Sequence, residues 1–329
     1  MLIYKISYKI LADNFLTGIG IGNFKHTYLL YQAEYFKTEA YTQKELLLAD
    51  NNYFAFNDYF EFVIECGVSG LLGLTIFFLF LLRKYRVLLK NKSGFSLLCL
   101  ISSSQLITLL VSALFTHVFE NTFFLSITVV LIILFIHCTN PRLFNNFSLI
   151  FLIFFSVVSL VGYRHFDYLH HYPAYKKFDE AKLLNNAGYK NESLKDLKDL
   201  YQKLEGDKEF LRYYSERLFE AGDVPQAKQV LTKAILKLKD NNLYTLLGEC
   251  LAVEKDYKGA EKNLLLAVYM VPNRHRNRQV LFNFYQQVNL TSKAAICGRD
   301  IVRLPIKIES PQVHKIKQDV AKELRSLIK

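Results

Sequence analysis

Four stretches without a single charged residue dominate the first half of this chain: Cys66 to Leu82, Ser93 to Thr116, Asn121 to Ile136 and Phe147 to Tyr163. Each is close to the length a helix needs to cross about 30 Å of hydrocarbon, and in lipid only helices and closed barrels satisfy every backbone polar group. They are therefore expected to be four membrane-spanning helices, and the 51% hydrophobic content with mean hydropathy +0.12 agrees with a membrane part joined to a soluble part.

Charge sets the orientation. The run from Arg83 to Lys92 holds five Lys or Arg residues directly after the first span. By the positive-inside rule it lies in the cytoplasm, which puts residues 1–65 on the opposite face. Four spans, with an inner turn at Arg142 and a short outer turn at His117-Val118-Phe119-Glu120, return residues 164–329 to that same outer face. The net charge of +11 is concentrated in this second half, but no basic stripe interleaved with aromatics marks a nucleic-acid surface.

Residues 164–329 carry a repeat. Ser193, Ala227, Ala260 and Ala294 recur at intervals of 34, 33 and 34, each after a turn, which is the period of the tetratricopeptide helix pair. The third unit is the clearest, with Tyr244, Leu247, Gly248, Leu251, Ala260, Leu264, Ala267 and Pro272 at signature positions. The expected fold class is all-α: four transmembrane helices preceded by a periplasmic loop and followed by an α-solenoid of tetratricopeptide-like pairs. The expected domains are 1–65, 66–163 and 164–329.

Several features invite chemistry and most have a plainer reading. Five cysteines at wide spacings, without a C-x-x-C pair, indicate neither a disulfide framework nor a zinc site. His165, His170 and His171 lack an i,i+4 pair or a Cys partner and read as a headgroup-level linker rather than a metal site. The tyrosine-rich stretch from Lys25 to Leu48 suits a water-facing helix near headgroups, or an ordinary loop helix. The hydroxylated cluster Ser102 to Ser112 suits helix packing. Between Gly18 and Asn23 the glycines alternate as G-x-G-x-G, without the G-K-[ST] of a nucleotide loop, so a structural or glycan-pyrophosphate loop is expected. Asp58, Glu61 and Glu65, at spacings of three and four, share one helix face where water meets lipid. Carboxylates there are costly unless they meet water, a cation or a reacting group.

Taken in order, Tyr4-Lys5, Asp13-Asn14, Gly18 to Phe24, Ala55-Phe56-Asn57-Asp58-Tyr59, Glu65-Cys66-Gly67 and Gly70 form a pattern that resembles the outer loop and following span of the O-antigen ligase and polymerase family. The resemblance covers residues 1–163. It implies a metal-free, cofactor-free glycosyltransferase of the bacterial inner membrane, its loop and repeat domain periplasmic. Such an enzyme moves a glycan from undecaprenyl pyrophosphate to a lipid, glycan or protein acceptor. It implies Asn57, Asp58, Glu61 and Glu65 as catalytic candidates, and Gly20, Gly22, Asn23, Lys25 and His26 as substrate-binding ones. Phe56 stands where many ligases carry a histidine, and no arginine precedes Arg83. On the resemblance, the 329 residues are expected to be the C-terminal portion of a longer ligase, with further spans and an arginine upstream. From another class, a membrane-anchored tetratricopeptide scaffold for envelope assembly is the rival, its repeats meeting protein partners; a transporter is disfavoured by the absence of intramembrane charge.

Overall fold

The computed structural model describes residues 2–38, 40–90, 97–140 and 146–327. Glu39, the end of the cationic run at Asn91-Lys92, and the inner turn at Arg142 lie outside them. Among the described residues the chain is all α, without a strand. Helices α1 (Leu2–Asp13), α2 (Phe24–Lys37), α3 (Gln43–Leu48), α4 (Asp58–Lys90), α5 (Leu97–Ser112), α6 (Thr122–Thr139) and α7 (Asn146–His170) come first. They are followed by α8 (Tyr172–Asn186), α9 (Lys190–Leu204), α10 (Lys208–Glu220), α11 (Val224–Lys237), α12 (Asn241–Val253), α13 (Tyr257–Met270), α14 (His275–Gln287), α15 (Thr291–Arg303) and α16 (Pro311–Leu327).

The helices form two compact units. The first combines residues 1–6, 25–53 and 173–329, and the second combines 7–24 and 54–172.

In the first unit the repeat is realised as helix pairs α8/α9, α10/α11, α12/α13 and α14/α15, with α16 last. The four recurring small residues each take the fourth position of the second helix of a pair, and Ser193, Ala227, Ala260 and Ala294 are all fully buried. A small side chain is needed there because the partner helix passes close: a Cβ on Gly248 would lie 2.6 Å from Leu264 Cγ. The turns between helices are stopped by capping carboxylates. Asp207 accepts from the Phe210 N–H, Asp223 from Gln226, Asp240 from Asn242 and Asp256 from Gly259, each satisfying a donor that a helix start leaves unpaired. The apolar faces meet in a core that runs through Leu264, Val268, Phe282 and Ile301 to Val320.

The tyrosine-rich stretch has a different fate from the headgroup-facing helix expected of it. Tyr28, Leu29, Ala33 and Phe36 of α2 are buried within the first unit. The physical reason is that their spacing of one, four and three residues makes one apolar helical face.

Where four spans are expected, the described residues of the second unit include two helices long and apolar enough to cross a membrane, within α4 and at α6. The apolar parts of α5 and α7 are shorter, Cys99–Ser112 and Ser148–Tyr163. Helix α5 ends at Ser112, where Ala113 begins a turn, four residues short of the expected end of the span at Thr116. The histidine linker is also helical, because α7 continues through His165 to His170. Cys99 and Cys138 are disulfide-bonded, which their sequence separation of 39 concealed and the side-by-side packing of α5 and α6 brings about. Replacing Gly248 by Ala should overpack the α12/α13 contact and cost about 1–3 kcal/mol. A lowered thermal midpoint of the purified protein, followed by circular dichroism, is the expected result.

Candidate functional site

The second unit is organised at a break in α4. Gly67 interrupts the helix with φ 63° and ψ −143°, so the ordinary i to i−4 ladder fails across it. The Val68 N–H goes instead to the Phe15 carbonyl at 2.8 Å, while the carbonyls of Ile64 and Glu65 accept from the Ile19 and Gly20 N–H groups at 3.2 and 2.9 Å. The glycine loop thus replaces the hydrogen bonds that the break removes. Contact is so close that a Cβ on Gly18 would lie 2.1 Å from the Glu65 carbonyl oxygen, and one on Gly67 would lie 2.5 Å from the Gly18 nitrogen. Both residues have positive φ, as does Gly20. Asn23 folds the loop back on itself by donating to the Ile19 carbonyl at 2.9 Å, and Asn14 donates to Ile10 at the end of α1.

Upstream of the break the carboxylates are tied down individually. Asn57 is the N-cap of α4, its Oδ1 accepting from the Phe60 N–H at 2.9 Å. Asp58 accepts from the Phe119 N–H at 3.1 Å, and its own N–H donates to the Ala113 carbonyl. Glu61 accepts from the Ala55 N–H at 2.7 Å. Glu65 is 8% exposed and accepts from the Phe24 N–H at 3.1 Å. Asp58, Glu61 and Glu65 are brought together: with Glu120 they line one cavity of about 350 Å³, otherwise walled by Phe54, Phe77 and other apolar side chains. Burying carboxylates is costly unless they are hydrogen-bonded, and the backbone N–H groups of Phe119, Ala55 and Phe24 supply one donor to each of the three.

A histidine from a distant turn packs against Phe56. His117, from the turn between α5 and α6, stacks on Phe54 with ring centroids 4.5 Å apart, and meets the Phe56 ring edge-on at 5.6 Å. It is near enough to Asp58 for their charges to interact. Its Nδ1 is buried without a hydrogen-bond partner among the described residues. Phe56 itself adopts φ 56°, a left-handed conformation that a bulky side chain rarely accepts and that a neighbouring site often imposes. Neither His117 nor Glu120 was singled out as a site residue from the sequence. Their only signal is the polar pair in a short turn between two apolar runs.

The remaining candidates divide between the units. Gly20, Gly22 and Asn23 lie in the second. Lys25 and His26 lie in the first, where burial, then the charges of Lys25, Lys239 and Lys208, push the His26 imidazole below its ordinary range.

No protein-family model and no curated protein matches the chain. Among solved structures, the crystal structure of MamA is similar over 47% of this chain and 90% of its own, with 13% identity and a TM-score of 0.37. A likeness of that size carries no functional argument, so the chemistry rests on the residues above.

Alanine at Gly18 should be far more damaging than alanine at Gly22. Both have positive φ, but only Gly18 abuts another backbone. The Gly22 change should cost about 1–2 kcal/mol for the left-handed conformation, and Gly18 that amount plus about 1–3 kcal/mol of overpacking. Thermal midpoints in detergent, compared side by side, provide the check.

Proposed function

We propose that this chain is a membrane glycosyltransferase of the O-antigen ligase or polymerase type, working on a glycan carried by undecaprenyl pyrophosphate. The observation that carries the reading is the cavity in which Asp58, Glu61, Glu65 and Glu120 meet beside His117. Exposed large apolar side chains on α4, with Leu72, Ile76 and Leu79 each more than half exposed, support placing this unit in lipid. An inner-membrane location with the cavity on the periplasmic side follows from the sequence pattern and is part of the proposal.

The reaction requires an acceptor hydroxyl to attack the anomeric carbon. The bond from that carbon to the pyrophosphate oxygen breaks, the lipid pyrophosphate leaves with its electron pair, and the hydroxyl proton passes to a base. A cavity with four carboxyls suits the acceptor side of this exchange. Sugar hydroxyls donate well to carboxylates, whereas a pyrophosphate would be repelled by them. In this reading Glu61 and His117 are the candidate bases and Asp58 orients the turn that carries His117. Asn57 acts by capping α4. Gly20, Gly22 and Asn23 of this unit remain candidates for the donor's pyrophosphate.

A second reading is favoured by the helix pairs of the first unit, since repeats of this kind suggest protein interactions in general. In it, the chain is a membrane-anchored scaffold whose cavity has no reaction to perform.

Glu61→Gln and His117→Ala should each lower glycan transfer by about 10²-fold or more, the usual range for loss of a positioned base. The amount of protein in the membrane should be unchanged. The measurement is glycan transfer in isolated membranes supplied with the lipid-linked donor and acceptor. Full transfer by both variants would retire the enzyme reading; normal surface glycan in a gene deletion, with envelope partners misplaced, would establish the scaffold.

A further inference from the structure

The stretch from Leu46 to Tyr53 is bound by the helix pairs of the first unit as a receptor binds a peptide. Asn273, 6% exposed, sits just before α14 and donates its side-chain amide toward three carbonyls of the stretch, Ala49 at 2.7 Å, Leu46 at 2.9 Å and Leu47 at 3.2 Å. Asp240, also 6% exposed, is the N-cap residue directly before α12, whereas Asn273 lies one residue further from its helix. Asp240 accepts from the Tyr53 hydroxyl at 2.6 Å and from the Asn51 amide at 2.9 Å, and Asn241 accepts from the same amide at 2.7 Å. Between them Asp50 is paired with Arg274 and Lys307, each at 2.9 Å. Gln32 of α2 donates to the Asp50 carbonyl at 3.1 Å and to the carbonyl of Met270. Ala49 is fully buried, which leaves no space for a larger side chain.

The receptor residues follow the repeat. Asp207, Asp240 and Asn273 are spaced at 33 residues, one per helix pair. Asp207 uses its carboxylate on the Tyr175 hydroxyl at 3.2 Å, within its own end of the array. The next two positions are spent on the stretch 46–53. The ion pairs at Asp50 are roughly half exposed and weigh little. The buried groups of Asn273, Asp240 and Asn241 decide the binding, because any of them left unpaired would be costly.

We propose that this face of the repeat array is a selective receptor for an extended peptide of the pattern small-Asp-Asn-x-Tyr, filled in cis by the chain's own Ala49-Asp50-Asn51-Asn52-Tyr53. A partner protein carrying that pattern enters only by displacing the resident segment. The segment is tethered through α3 to α2, whose side chains are buried in the same unit, so its effective concentration is of millimolar order and a free peptide at micromolar concentration does not compete. The inference is independent of the transferase reading, since it concerns peptide binding alone.

The test uses the full chain in detergent and a fluorescently labelled peptide with the sequence of residues 46–53, followed by anisotropy. Wild-type protein should bind it at least about 30-fold more weakly than the variant Asp50→Ala/Asn51→Ala/Tyr53→Phe, in which the resident segment has lost its side-chain contacts. Adding Asp240→Ala or Asn273→Ala to that variant should weaken binding about tenfold each, equivalent to about 1.4 kcal/mol. Equal binding by wild type and variant, or binding indifferent to both receptor changes, overturns the proposal. So does an absence of binding by a triple variant that melts as wild type does. If the triple variant does not fold, Asp50→Asn alone replaces it, with a gain of about threefold or more expected; a folded single variant that binds no better than wild type is then equally fatal.

Discussion

The second unit depends on one exchange of backbone hydrogen bonds. Gly67 breaks α4 and would leave two carbonyls and one N–H without helical partners in an apolar setting. The loop from Phe15 to Gly20 supplies replacements for all three. Each such bond adds only about 1 kcal/mol net, but each unmade one would cost about 1–3 kcal/mol, so the break is tolerable only while the loop is in place. The break also explains the glycines. Two backbones come together at Gly18 and Gly67 with less room than a Cβ needs, and both residues take conformations in which L side chains are strained.

From that joint the candidate site follows. Asn57 starts α4, and the first turns of the helix carry Asp58, Glu61 and Glu65 along one face at the cavity. Glu65 is held from the glycine-loop side by Phe24, and Asp58 from the turn before α6 by Phe119. Two of the acids are therefore positioned by segments distant in sequence, which fixes their orientation at the cavity. The same turn brings His117 against the ring of Phe56. A histidine distant in sequence thus lies against Phe56, and only the meeting of α4 with the turn after α5 makes that visible.

In the first unit the residues that fold the repeats and those that hold the 46–53 segment are partly the same. Asp240 caps α12 with one carboxylate oxygen and receives Tyr53 and Asn51 on the other. Burial pushes the Asp50 carboxyl up, but the hydrogen bonds from Lys307, Arg274 and the Asn51 N–H outweigh this and hold it below its usual range. The Tyr53 hydroxyl is pushed the other way, by burial and by its bond to Asp240, and stays a donor at any ordinary pH. The binding residues were hidden because they look like caps: a polar residue before a helix has a sufficient reason to be there without a ligand.

The sequence by itself determined the local and periodic features. Helical class, the 33- to 34-residue repeat with its buried small positions and the shared face of Asp58, Glu61 and Glu65 all follow from spacing along one helix or from one period to the next. Tertiary structure decided what spacing does not encode. Among the described residues it left two helices long enough to cross where four are expected, joined Cys99 to Cys138, and placed Tyr28 and Phe36 in the core of the repeat unit rather than near headgroups. It also set His117 against Phe56, and the glycine loop against the broken helix. The reason is the same in each case: a helix fixes neighbours three and four residues away, whereas contacts across tens or hundreds of residues are chosen by which faces and unpaired backbone groups find one another when the chain closes.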